Sequence, residues 1–215
     1  MNINEISVAQ LDFLVNNSKR GHEYGIIMIK ELLRLEILSL LYDSDYIKSS
    51  ILKFNSEKID KKALSEESKF VLSTILKYEA YQKDKDNIKM PPLTPLYLLE
   101  RLYYEHKQSW SKFKKDFVIE GLVKLGYLKK IFGVFYLKTP KAIKVRNEWL
   151  ALTSNNPEKL KNMVNYGDMA SHLSLLPVFQ THDMRLLDEI INSQLKRSFW
   201  HYLNLINHES VNSFS

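Results

Sequence analysis

The stretch "GYLKKIFGVFYLKTP", residues 126–140, decides how this chain is read. It holds two runs rich in aromatic and β-branched residues, on either side of Gly133. Runs of that kind broken by a glycine predict two antiparallel strands and a tight turn. Gly126 suits the left-handed position after a helix, and Thr139-Pro140 reads as an N-cap followed by proline at the first helical position. The expectation is a hairpin pairing 127–131 with 134–138, set between two helices, as the main β element of an otherwise helical chain. A two-stranded hairpin is marginal alone in water and must dock on its neighbours. The stripe Tyr127, Phe132, Phe135 and Tyr136 offers the docking surface.

Working outward, "SKFKKDFVIEGLVKL" (111–125) predicts a helix with Ser111 as its cap. Trp110, Phe113, Phe117, Gly121, Leu122 and Leu125 recur every three to four residues on its buried side. Thr94-Pro95 starts another helix, 96–107. Ser65, with Glu66 and Glu67 in the first turn, starts one over 65–81. "QKDKDNIK" (82–89) reads as a loop. Helix 140–152 follows the hairpin. The flanks predict helices over 5–16, 23–42, near 157–165 and over 182–207, with a short helix or irregular turn at 46–54. No internal repeat is visible. The expected organisation is an N-terminal helical layer (1–60), a central domain (65–152) and a C-terminal helical extension (155–215).

The 215 residues suffice for a sizeable core, and 45% hydrophobic with 26% charged residues is the balance of an ordinary globular protein. The absence of cysteine excludes disulfides, thiolate zinc sites and a cysteine nucleophile. The start "MNINEISVAQLDF" lacks the basic and apolar regions of a signal peptide. The most apolar segment, 24–42, carries Lys30, Glu31, Arg34 and Glu36, which argues against a membrane span. A cytoplasmic protein is expected.

Charge is unevenly spread. Residues 107–146 hold eleven Lys and Arg against only Asp116 and Glu120, a net +9, so the rest of this +6 chain is near −3. The basicity belongs to the segment that contains the hairpin.

Over about 90 residues, the order helix 65–81, helix 95–107, helix 111–125, hairpin, helix 140–152 resembles the winged helix-turn-helix superfamily, in the arrangement of MarR- and PadR-like regulators. The local match is "LVKLGYLKK…FYLKTPKA": Leu122, Leu125, Gly126, Tyr127, Leu128, Tyr136, Leu137, Thr139 and Pro140 fall in the family's places, and Ala142 stands where the family often has Gly. The resemblance implies a mainly α protein with an embedded winged helix, carrying one small antiparallel β-hairpin and helical N- and C-terminal extensions. It implies a DNA-binding protein: a transcriptional regulator, or a component of a mobile-element, phage or defence system. Lysines of helix and wing would meet phosphates of duplex DNA, the candidates being Lys107, Lys112, Lys115, Lys129, Lys130 and Lys138. The stripe of helix 182–207 (Leu187, Ile191, Leu195, Phe199, Tyr202, Ile206) either covers the chain's own domain or mediates a homodimer.

Helix 111–125 departs from a base-reading helix in one respect. Opposite Trp110, Phe117 and Gly121 it carries Lys112, Lys115 and Asp116, then Ile119 and Val123, and the basic segment has only Arg146 for bidentate contacts. Contacts to the DNA backbone are therefore expected to dominate. The alternative is a winged-helix scaffold for protein–protein assembly. Exposure of Ile119 and Val123 would favour assembly; cover from residues 5–42 would leave the lysines to DNA. No phosphate-binding loop, dinucleotide fingerprint, HExxH or nucleophile elbow occurs, and the six histidines form no ligand spacing. Neither a cofactor nor an enzymatic activity is expected.

Overall fold

The computed structural model describes residues 5–16, 20–41, 50–59, 64–84, 92–154, 170–173, 175–176 and 180–193. The expected helix near 157–165 and the loop beyond Asp84 lie outside them. The chain is mainly α-helical, with two small antiparallel sheets. In order come α1 (Val8–Asn16), α2 (Gly21–Arg34), β1 (Leu38–Leu41), β2 (Ile51–Phe54), α3 (Glu66–Asp84), α4 (Pro95–Glu105), α5 (Trp110–Phe113), a π-helical stretch (Lys114–Ile119) and α6 (Glu120–Lys124). Then follow β3 (Leu128–Ile131), β4 (Phe135–Lys138), α7 (Pro140–Ser154), a short helix Ala170–Leu173 and a helix over 182–193.

Capping chemistry sets several starts. Ser7 and Gln10 form a reciprocal box on α1: the Gln10 N–H donates to Ser7 Oγ at 3.2 Å and the Ser7 N–H to Gln10 Oε1 at 3.0 Å. Ser65 Oγ accepts the Ser68 N–H at 3.1 Å, and Thr94 Oγ1 accepts the Tyr97 N–H at 3.1 Å. Both starts are as the sequence predicts.

The expected helix 23–42 is corrected. It ends at Arg34, Glu36 takes a left-handed φ of 56°, and the chain enters β1. β1 pairs with β2 from Leu38↔Phe54 to Leu41↔Ile51, so a second sheet replaces the short helix or turn expected at 46–54. The strands are held by partners distant in sequence, two of them backbone carbonyls and one a side-chain carboxylate. The Leu52 N–H donates to Leu93 O at 2.7 Å, the Asn55 N–H to Ile37 O at 2.9 Å, and the Leu40 N–H to Asp183 Oδ2 at 3.0 Å.

α2 is central, packing on α1, α3, α4 and α5. A Cβ at Gly21 would lie 2.0 Å from Trp110 O, and one at Gly25 would lie 3.1 Å from Leu99 Cδ2, so both glycines permit a close helix approach. One hydrophobic cluster runs from Ile6 to Ile191, drawing on all three expected segments. Met184, Leu187, Ile190 and Ile191 are buried in it. Lys30 Nζ meets Asp188 Oδ2 at 2.5 Å, fastening the last helix to α2. The described part of the proposed dimer stripe thus covers the chain's own core; Leu195, Phe199, Tyr202 and Ile206 lie outside the described residues.

Candidate nucleic-acid interface

α4 and α5 are joined by a tight turn, residues 106–109. Lys107 and Gln108 adopt φ of 55° and 53° there, and the Gln108 N–H reaches back to Tyr103 O at 3.0 Å. The cap of the following helix is Ser109 rather than Ser111: its Oγ accepts the Lys112 N–H at 3.2 Å. The expected helix 111–125 is observed as Trp110–Lys124, interrupted by the π stretch. Its inner side packs rings on rings, with Phe70 4.9 Å from Phe117 and Trp110 5.3 Å from Phe113. His106 joins this cluster, its Nε2 3.3 Å from Asp116 Oδ2.

The lysines of this helix divide. Lys114 sits over the Phe13 and Tyr24 rings at 5.2 and 5.4 Å, and burial lowers its pKa. Lys115 is exposed. Lys112 lies against Lys107, and that neighbouring amine lowers its pKa. The turn thus brings two ammonium groups together at the start of the helix, with Lys115 one turn further on. Asp116 is the acid beside them and offsets part of their repulsion; the excess of positive charge on this surface favours an anionic ligand.

The helix closes with Gly126 at φ 75°. The Tyr127 N–H donates to Leu122 O at 2.8 Å and the Gly126 N–H to Val123 O at 3.0 Å, a Schellman pair that aims the chain into β3. β3 and β4 pair antiparallel in the register Leu128↔Lys138, Lys129↔Leu137, Lys130↔Tyr136, Ile131↔Phe135. Phe132 and Gly133 form the turn at φ 50° and 74°.

Because residues alternate between faces of a strand, Leu128, Lys130, Tyr136 and Lys138 share the inner face. Tyr136 Oη donates to Glu120 Oε1 at 3.0 Å, and Lys130 Nζ is 3.6 Å from the same oxygen. Lys138 Nζ donates to Leu14 O at 2.6 Å, and burial lowers its pKa. Behind the hairpin, Tyr127 Oη donates to Glu5 at 2.5 Å, and Lys141 pairs with Glu5 at 2.8 Å. Lys141 first, and Tyr127 second, hold the Glu5 carboxyl below its usual range. Burial, then Glu5, pushes the Tyr127 hydroxyl up.

Of the six lysines chosen from sequence, Lys107, Lys112 and Lys115 gather at one end of the helix. Lys129 stands exposed on the outer face of the hairpin. Lys130 is shared with Glu120, and Lys138 is turned inward as a structural contact. The expected aromatic docking stripe also divides. Tyr127 and Tyr136 dock, whereas Phe132 and Phe135 are 90% and 64% exposed. Val134 and Leu137 are exposed with them. The period-two alternation of β4 already separates Phe135 and Leu137 from Tyr136 and Lys138, so that signal was present in the sequence.

Comparison with protein-family models, curated proteins and solved structures finds no match to this chain.

Ile119 and Val123 are half-buried and packed on the core, and α1 lies against the π stretch. α1 also closes on α6, since a Cβ at Gly121 would lie 2.3 Å from Gln10 Nε2. Among the described residues, no group of three or more His, Asp or Glu could hold a metal ion, and no helix is long and apolar enough to cross a membrane.

Proposed function

We propose that this chain is a duplex-DNA-binding protein of the winged helix-turn-helix type, acting in the cytoplasm as a transcriptional regulator or as part of a mobile-element, phage or defence system. In this reading α4, the turn 106–109 and helix 110–124 form the helix-turn-helix, and β3–β4 form the wing. The observation that carries it is the basic face at the turn, where Lys107 and Lys115 are exposed on either side of Lys112 and Asp116 is the acid beside them. Such a site binds phosphate oxygens without regard to sequence and positions the helix against the duplex. Support comes from the segment around the wing: residues 121–147 contain seven Lys and Arg and no acid, and Lys129 stands exposed on the wing itself. The half-buried state of Ile119 and Val123 favours this reading over a scaffold that docks partners through that face.

The test is titration of the full chain onto a mixed-sequence 30-base-pair duplex at several salt concentrations. Four freely contacting lysines (107, 112, 115 and 129) give an expected slope of log K against log[salt] of about −3.6. Absence of binding at low salt removes the proposal.

A further inference from the structure

The tip of the wing is built against the ordinary rules of a soluble hairpin. A tight turn with two left-handed residues normally takes Asn, Asp or Gly at both. Here the first is Phe132, a large aromatic at φ 50° and 90% exposed. Val134, on the other side of Gly133, is 69% exposed. Of the charged residues nearest along the strands, Lys129 stands exposed, Lys130 is shared with Glu120 and Lys138 is turned inward, so the outward charge behind the tip is cationic. A partner suited to this tip offers apolar surface with negative charge beside it, within reach of Lys129. A nucleic-acid groove has that construction: phosphates at the edge, stacked bases within.

The dimensions agree. Strand residues advance by roughly 3.3 Å each, which sets Lys130 and Lys129 about 7 to 10 Å behind Phe132. The minor groove is roughly 7.5 Å deep and 6 Å wide, room for one ring but not for a two-stranded ribbon. We infer that Phe132 is a wedge: its ring enters the minor groove and partly unstacks one base step, while Lys129 holds the flanking phosphate. Apolar side chains inserted in this way kink the duplex. The inference rests on the proposed DNA-binding reading and adds to it a contact to the base stack.

The test uses the full chain and a 30-base-pair duplex carrying 2-aminopurine at successive central positions, with Phe132→Asn as the variant. Asn tolerates the left-handed turn, so the hairpin is kept while the ring is removed. The expected result is a rise in 2-aminopurine fluorescence with the wild type and none with Phe132→Asn. Affinity should fall about 10-fold, since one aromatic–base contact is lost, with the salt slope unchanged. Equal affinity and equal fluorescence for the two proteins would overturn the wedge and leave DNA binding standing. Failure of the wild type to bind any duplex at low salt would overturn both. Vesicles of phosphatidylglycerol and phosphatidylcholine form the control arm. A loss of vesicle binding by Phe132→Asn, with DNA binding unaffected, would reassign the tip to a lipid surface and overturn the wedge.

Discussion

Lys138 donates its ammonium to the Leu14 carbonyl oxygen at 2.6 Å, across 124 positions of sequence. The contact fastens β4 to α1, the helix that also packs on the π stretch. Hairpin and helix 110–124 are thereby held by one element.

Lys138→Met should therefore act on stability. The variant keeps the aliphatic stem and removes the charged donor, leaving the Leu14 carbonyl unpaired, at an expected cost of about 1–2 kcal/mol. Urea denaturation measures the loss. The salt slope of DNA binding should stay at the wild-type value; a flattened slope with unaltered stability would return Lys138 to the phosphate-contacting set.

Lys129 and Lys130 are expected to differ. Lys129→Ala should flatten the salt slope by about 0.9, the value for one phosphate contact. Lys130→Ala should change it less, because Glu120 already sits 3.6 Å from that ammonium. The effect of Lys129 should be the same on unrelated duplex sequences. Equal effects of the two variants would mean that Glu120 releases Lys130 on binding.

Glu67 tests the buried polar contacts beneath α1. Its carboxylate accepts from Ser7 Oγ at 2.8 Å and Gln10 Nε2 at 3.0 Å, and burial raises its pKa above the usual range. Nearby Glu31 is raised by burial too, despite Ser68, Ser65 and Arg34. A raised carboxyl binds its proton more tightly folded than unfolded, so its contribution is full below the ordinary pKa of about 4.5 and is lost as pH rises through the folded value. His172 acts in the opposite sense. Burial lowers its pKa, so its contribution is present above the ordinary value of 6.5 and is lost as pH falls below that. Comparing wild type with Glu67→Gln cancels His172 and other distant groups, while Glu31 loses in the variant the part of its shift that the Glu67 charge causes. The stability difference, wild type minus variant, should be largest at and below pH 4.5 and shrink to a plateau as pH rises. A difference that does not vary with pH would contradict the assignment.

Truncation after Thr181 should unfold the protein. It removes Met184, Leu187, Ile190 and Ile191 from the core and the Asp188 partner of Lys30. Leu187→Ala alone should cost about 2–5 kcal/mol. Circular dichroism and solution mass on full chain, truncation and point variant decide the matter. A folded monomeric truncation from a dimeric parent would instead assign the helix to a second copy.

The hairpin was legible because its strand-forming runs lie between two unambiguous punctuation marks, Gly126 and Thr139-Pro140. β1 was not, because "LEILSLLY" continues the apolar period of α2 and equally fits alternation. Only pairing with Ile51–Phe54 and the Asp183 carboxylate choose between them. The cap at Ser109 was missed by two positions because Ser111 offers the same chemistry one half-turn later. Ser7 and Gln10 carry the local Ser-x-x-Gln signature of a capping box. The meeting of Lys107 with Lys112 depends on two successive left-handed residues, neither of them glycine, which composition does not announce. Lys138 could have been set apart from Lys129 by parity along the strands, but its partner, a carbonyl at the end of α1, is a tertiary contact.

The π stretch gives helix 110–124 the mechanics of a crank. One arm, Trp110–Phe113, carries Lys112; the other carries Glu120, to which Tyr136 and Lys130 of the hairpin attach. Each residue added to or removed from the shaft turns one arm against the other by about 100°. Chain length between Lys114 and Ile119, more than the identity of the side chains there, sets the angle between the hairpin and the first turn of the helix.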